Sequence, residues 1–438
     1  MKESKVYLPM VVLIVCAAEV FAQDWPQYLG PNRNSVSDQK GILRSWPETG
    51  PEVLWSVGVG IGFGGPVVKD GKVYLLDRDD QVGDNLRCFD LYSGEERWNF
   101  HYESPGSVMF PGSRSVPALD DTLLYTCGHN GELYCIDIQT HEPIWNRNLW
   151  TDFGGEEIPR WAISQCPLVY GDLLILASQA PQAGVVAYDK LNGEVRWTTP
   201  SLGPVGYVSP TIVRVGGEDH IVMITAATGG RGTPATGGKV VGIEPHSGKI
   251  LWEYSNWQCH IPVPGAIDAG GGRMLIIGGY QAGAAMIQVE KETDDSHRVT
   301  ELFKTVEFGE HTKPAILHDG YFYAQYSTNE RRDGLVCMSM DGRIMWQTKR
   351  SPAFDKGSMI LADGLILATD GASTLYLIEP DSTGFRPLAS AVVLAEAEQS
   401  DDPMAESFGT QNWAPMALAE GRLLIRDQNR LMCIRVAE

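Results

Sequence analysis

A unit of four short strands recurs along this chain, and that recurrence restricts the fold more than any other feature. One copy, residues 65–98, reads GPVVKDGKVYLLDRDDQVGDNLRCFDLYSGEERW. The next two, residues 115–145 and 166–197, end in LYCIDIQTHEPIW and VVAYDKLNGEVRW. A fourth spans 209–252. A fifth, 265–303, is degraded, with EKETDDSHR in place of its last turn. A sixth covers 313–346, a seventh starts at Ser358, and an eighth occupies 414–436. Apolar residues alternate within each copy, as at Val73 and Leu75 or Leu123 and Tyr125, which is the period of a half-buried strand. Asp70-Gly71, Asp319-Gly320, Asp363-Gly364, Ser93-Gly94, Asn192-Gly193 and Ser247-Gly248 supply the left-handed residues that hairpins need. No segment shows the period of an amphipathic helix. Four antiparallel strands every roughly 40–55 residues predict an all-β fold, an eight-bladed β-propeller of four-stranded antiparallel blades.

Counting strands predicts how the ring closes. The eighth unit stops after its third strand, whereas residues 52–59, EVLWSVGV, carry Trp55 at the repeat's Trp position ahead of the first unit. The N-terminal strand is therefore expected to complete the last blade, which removes the open sheet edges of a linear array. The expected organisation is a signal peptide over 1–22, an N-terminal strap over 23–51 lying along the outside of the ring, and the propeller over 52–438. Trp55, Trp98, Trp145, Trp197, Trp252 and Trp346 share one repeat position. They read as structural rings packed between neighbouring sheets, each indole N–H reaching a nearby carbonyl.

Lys2 and Lys5, the apolar run Leu8 to Ala18, and Val20-Phe21-Ala22 before Gln23 form a signal-peptide pattern with cleavage expected after Ala22. Val15 before Cys16 departs from a lipobox, so a lipoprotein is not expected. The run is too short to span a bilayer, and a periplasmic or secreted location follows. A formal net charge of −20 repels phosphate backbones and anionic lipid, so no nucleic-acid partner is expected. Of the eight cysteines, Cys16 leaves with the leader. Cys88, Cys135, Cys337 and Cys433 recur at one strand position, as small buried hydrophobes too far apart to bridge. The sequence leaves the pairing of Cys127, Cys166 and Cys259 open.

Residues 24–37, DWPQYLGPNRNSVS, residues 41–55, GILRSWPETGPEVLW, and the xxDxxSGxxxW blade endings form a recognisable set. Together they resemble the exported PQQ-binding-like β-propeller repeat proteins of planctomycete-type bacteria, over essentially the whole mature chain. The blade signature is similar to that of quinoprotein alcohol dehydrogenases and of the BamB-type propeller of outer-membrane assembly. The resemblance implies the fold and says less of the function, because the blade motif is a folding device. In the dehydrogenases it implies pyrroloquinoline quinone stacked on a Trp, covered by a disulfide of adjacent cysteines, and anchored by Ca²⁺ on Glu and Asn beside a catalytic Asp. This chain has no Cys-Cys pair, no CxxCH, and no evident counterpart of the calcium-ligand set.

Loop lengths select a binding face. Turns between first and second strands are short. The long connections, such as 77–85, 226–238 and 326–334 within blades, and 100–113, 150–164, 348–357 and 395–412 between them, emerge around one mouth of the channel. Arg114, Trp161, Tyr207, His260, His311, Lys356, Ser358, Gln411 and Trp413 enter the innermost strands there. They are either channel plugs or a site for an anionic, planar or peptide ligand held by charge-assisted hydrogen bonds and stacking. His260 and His311 lack the matched ligands of a metal site, and no metal is expected. GGRGTPATGG (229–238) lacks phosphate-loop spacing. The acidic segments 290–297 and 396–406 lack a calcium-loop pattern and read as solvated. No catalytic residue stands out. The expectation is a monomeric binding or scaffold propeller of the cell envelope for a protein, peptide or glycan, with no cofactor. The alternative is an alcohol or sugar oxidoreductase using pyrroloquinoline quinone with Ca²⁺.

Overall fold

Type I′ hairpins set the pattern of the chain. Asp70 and Gly71, Asp319 and Gly320, and Asp363 and Gly364 all hold positive φ, between 47° and 80°, the pairing whose twist matches flanking antiparallel strands. The computed structural model describes residues 23–229, 234–328, 332–395 and 410–438. The expected signal peptide, with Cys16, lies outside them, as do parts of loops 226–238, 326–334 and 395–412.

Among the described residues the strands form eight antiparallel blades. Blades 1 to 7 span residues 67–103, 118–148, 168–198, 211–254, 267–305, 316–347 and 359–392. Blade 8 combines strands within 417–435 with the N-terminal strand Val53–Gly58, which pairs antiparallel with Arg430–Arg435 and sets Trp55 opposite Cys433. The closure expected from the strand count is thus present. The first strands of adjacent blades adjoin one another, so they are the innermost. The only helical segment among the described residues is the single turn Thr151–Phe153.

The cysteine positions have a packing explanation. Cys88, Cys135, Cys337 and Cys433 lie directly across the ladder from Trp98, Trp145, Trp346 and Trp55. Blades 3 and 4 have Ala187 and Gly242 there, opposite Trp197 and Trp252. A small side chain lets the indole lie over the sheet. At Gly242 a Cβ would come within 2.0 Å of the Trp252 ring. Gly242→Val is expected to destabilise the protein by about 1–3 kcal/mol through overpacking, read as a lower urea midpoint. All seven described cysteines, including Cys127, Cys166 and Cys259, are free and buried.

Five of the six repeat tryptophans, all but Trp252, also dock on the following blade. A Cβ on Gly94, Gly193 or Gly248 would meet the ring of Trp55, Trp145 or Trp197 at 2.5–2.7 Å. In blade 2 His141 replaces the glycine at φ 64° and stacks on Trp98 at 4.6 Å.

The strap takes a path that differs from the expected one along the outside. Trp25 forms a bridge with Val68 of the innermost strand of blade 1. The Leu119 N–H of blade 2 donates to the Pro26 carbonyl, and Val36–Ser37 adds a parallel strand to the inner edge of blade 7. Arg33 reaches the carbonyls of Pro167 and Pro210 ahead of blades 3 and 4. Residues 25–37 therefore cross the channel on the side away from the mouth. The physical reason is unsatisfied backbone: innermost strands present free N–H and C=O groups to the channel, and the strap pairs with them. Trp25 is only 1% exposed, packed under Gly30, where a Cβ would strike its ring at 2.8 Å.

Candidate functional site

The strap turns the channel into a blind cavity of about 360 Å³, within the range of ligand pockets. Its deep end is lined by Tyr28, Leu29 and Arg33, and its sides by residues that lead into the innermost strands. Arg114, Trp161, Tyr207, His311, Lys356 and Trp413 all line this one cavity. His260 does not. Its ring turns to the Ala227 carbonyl at 3.4 Å. Ser358 is buried outside the wall, its Oγ accepting from the Met416 N–H at 3.1 Å. Gln411 is also absent from the wall, and its carbonyl accepts from Gln428 Nε2.

One side of the wall is a pair of stacked rings with a cation at each end. The Arg114 guanidinium sits 5.6 Å over Phe63, Phe63 stacks on Trp413 at 5.5 Å, and Lys356 Nζ lies 4.9 Å over Trp413. Phe110 packs edge-on against Phe63. On the other side Trp161 and Tyr207 pack at 5.3 Å, and Tyr280 stacks on His311 at 4.6 Å. Each cation–ring contact contributes about 0.5–2 kcal/mol, enough to hold the aromatic faces in place.

Four cations line the cavity: Arg33, Arg114, Lys313 and Lys356. Among the described residues no carboxylate does. Arg114 donates from Nε to the Trp161 carbonyl and from Nη2 to the Met109 and Phe110 carbonyls. Its Nη1 is buried without a partner, as is Trp161 Nε1. Burial pushes the Arg114 guanidinium down to about 10 and lowers Arg33 as well. Lys356 is paired behind the wall with Asp355 at 2.9 Å. Lys313 Nζ donates to Thr312 Oγ1 and the Lys356 carbonyl. Burial drives the Lys313 ammonium down and the neighbouring Glu310 carboxyl up. His311 Nε2 bonds the Ser327 carbonyl at 2.6 Å, and burial with Lys356 nearby holds the ring neutral, near 4.

The sequence reading missed Tyr28, Arg33, Phe63, Phe110, Tyr280 and Lys313. Phe63 had a usable signal. Pro66, Pro117, Pro167 and Pro210 each immediately precede an innermost strand, and the residues three before them are Phe63, Arg114, Ser164 and Tyr207. All four line the cavity.

The cavity suits one member of the quinone–calcium pair of the dehydrogenases better than the other. Its rings and cations suit a planar polycarboxylate. Calcium needs six to eight oxygen ligands, carboxylates among them, and the described residues of the wall offer no carboxylate. Among the described residues no group of three His, Cys, Asp or Glu side chains is placed to hold a metal. The residues present do not fit that pair.

A family model described as outer membrane protein assembly factor BamB matches residues 82–328. Among solved structures, a europium-containing methanol dehydrogenase is similar with a TM-score of 0.63 and 11% identity, covering 92% of this chain and 89% of that one. The quinohemoprotein alcohol dehydrogenase from Comamonas testosteroni gives a TM-score of 0.63 at 14% identity, covering 95% and 81%. At such identities the likeness is one of fold. No curated protein matches the chain.

Proposed function

We propose, for a chain that belongs to the family described as outer membrane protein assembly factor BamB, a binding role in the cell envelope in which the mouth of the ring holds a protein segment, peptide or glycan and the cavity seats an anionic group of that ligand. One observation carries the reading. In a chain of net charge −20, the described residues of the cavity wall gather four cations and no carboxylate. Two buried donors, Arg114 Nη1 and Trp161 Nε1, have no partner. Buried donors left unsatisfied cost about 1–3 kcal/mol each, and a side-chain shift that turned them onto an incoming oxyanion would recover that energy. The aromatic faces would hold the apolar body of the ligand. No helix among the described residues is long and apolar enough to cross a membrane.

A screen of wild-type protein against acidic and neutral peptides, and against uronate and neutral oligosaccharides, tests the reading. Acidic probes should bind, more weakly as salt rises. Trp161→Phe keeps the ring and deletes the donor. Together with Lys356→Gln it should weaken binding about 10–100-fold, the scale of one or two charge-assisted hydrogen bonds. Equal affinity for neutral probes, or full affinity in the double variant, would refute the proposal. Uptake of pyrroloquinoline quinone with Ca²⁺, with dye reduction by an alcohol, would favour an oxidoreductase instead.

A further inference from the structure

Four of the repeat tryptophans donate their indole N–H to a backbone carbonyl of the following blade: Trp55 to Leu91, Trp145 to Lys190, Trp197 to Pro245 and Trp346 to Asp381. A carbonyl keeps its acceptor at any pH. The buried Trp98 Nε1 has no partner, and Trp252 is different again. Its Nε1 donates at 3.0 Å to Nδ1 of His220, on a strand of its own blade. The sequence explains the exception. Blade 5 has EKETDDSHR where its neighbours carry the docking turn, so no turn carbonyl is offered and an imidazole takes its place.

His220 is 1% exposed. With Nδ1 accepting, the neutral ring carries its proton on Nε2, which has no partner. The His297 ring of blade 5 stands edge-on to it at 5.0 Å, and neither His297 nitrogen has a partner. The charged groups facing the pair are Lys291 and Asp295 from blade 5 and Glu218, Asp219 and Lys249 from blade 4. Lys291 is tied to Glu218 at 2.8 Å across the seam.

We propose that the seam between blades 4 and 5 is an acid-sensitive joint, in which protonation of His220 sets a hydrogen on Nδ1 against the Trp252 N–H, breaks that bond, and places a charge against the His297 ring of blade 5. Burial, and secondarily His297, hold the His220 imidazole down to about 4, from an ordinary 6.5. The closed seam therefore binds fewer protons than the open one between those values. Its stability is full at neutral pH and falls as the pH drops through that window. The other four carbonyl-docked seams have no such group in their docking bond.

Hydrogen-exchange mass spectrometry on the full chain at neutral and mildly acidic pH, corrected for intrinsic rates, reads the joint. Peptides over Ile250–Tyr254 and His297–Thr305 are expected to lose at least tenfold in protection in acid, while peptides over Pro143–Asn148 hold theirs. His220→Asn offers an amide oxygen near the place of Nδ1 and does not titrate. It should keep neutral-pH protection and abolish the acid loss. A second readout uses the wild-type chain: the Trp252 indole N–H resonance, assigned with Trp252→Phe, should shift with acid while that of Trp145 stays. Uniform loss of protection around the ring, an acid loss that persists in His220→Asn, or a Trp252 resonance indifferent to pH would overturn the proposal.

Discussion

Replacing Trp55 by alanine is expected to cost the ring about 3–5 kcal/mol, the scale of a buried aromatic truncated in a well-packed site. The ring is only 8% exposed and belongs to the core cluster joining Val73 and Phe89 of blade 1 to Ile434 of blade 8. It lies on Gly94 of blade 1, bonds the Leu91 carbonyl at 2.8 Å, and faces Cys433 across the ladder. Its loss therefore loosens both the pairing that completes blade 8 and the docking of blade 8 on blade 1. Trp346→Ala is the internal comparison, because Trp346 is only half-buried and shares its site with Phe385. Denaturant midpoints should place Trp55→Ala well below Trp346→Ala. Equal midpoints would mean that the closing seam is no more sensitive than the others.

Arg78→Met is expected to be comparably severe, by about 3–5 kcal/mol, because it strands buried carboxylates. The Arg78 side chain is fully buried. It donates to Asp80 at 2.7 Å, to Asp84 at 3.0 Å, and to the Ser104 and Gly106 carbonyls at 2.7 Å. Asp80 in turn accepts from the Gly112 N–H, so Arg78 pins the loop that carries Phe110 into the cavity wall. Burial already raises the Asp84 carboxyl to about 6 against the pull of the guanidinium. Without Arg78 it rises further. The deficit should be greatest at pH 7 and shrink as the pH falls and Asp84 takes up a proton. Thermal unfolding of both proteins at neutral and mildly acidic pH measures this. Adding Asp84→Asn should recover part of the loss at neutral pH, and a deficit independent of pH would refute the assignment. Binding of any cavity ligand should weaken in the same variant.

The blades were legible because each signal repeats and each has a local cause. Asp-Gly turns need positive φ at both positions, alternation follows the pleat, and a Trp facing a small residue marks the outer ladder. Closure was legible by subtraction, since Trp55 had no blade of its own. The strap was not. It occurs once, and it pairs through isolated bridges at Trp25 and a two-residue strand at Val36. Its partners are backbone groups of other strands, which leave no trace in side-chain periodicity. The same cause hid the deep end of the cavity, since Tyr28 and Arg33 belong to the strap. Arg114, Tyr207 and His311 could be reached from the sequence because they lead into innermost strands. Ser358 could not be told from them, because it stands next to the strand at a place where blades 1 to 4 have proline, and its hydroxyl is consumed by the Met416 amide. The blade 5 segment leading to its innermost strand contributes Ile261 and Val263 to the wall in place of His260.

The pairing of Val53–Gly58 with Arg430–Arg435, and of Val36–Ser37 with blade 7, has a consequence for biosynthesis. Val36–Ser37 and Val53–Gly58 bind partners some three hundred residues or more downstream. Contacts of such sequence separation form slowly, because the loop between them must be ordered first. A nascent chain therefore carries Val36–Ser37 unpaired until Leu361 is made and Val53–Gly58 unpaired until Arg430 is made, and a chain released before residue 430 lacks the counterpart of the second for good. A chain cut short of Arg430 would leave the edges of Val53–Gly58 and of the last blade unpaired, and such edges invite aggregation.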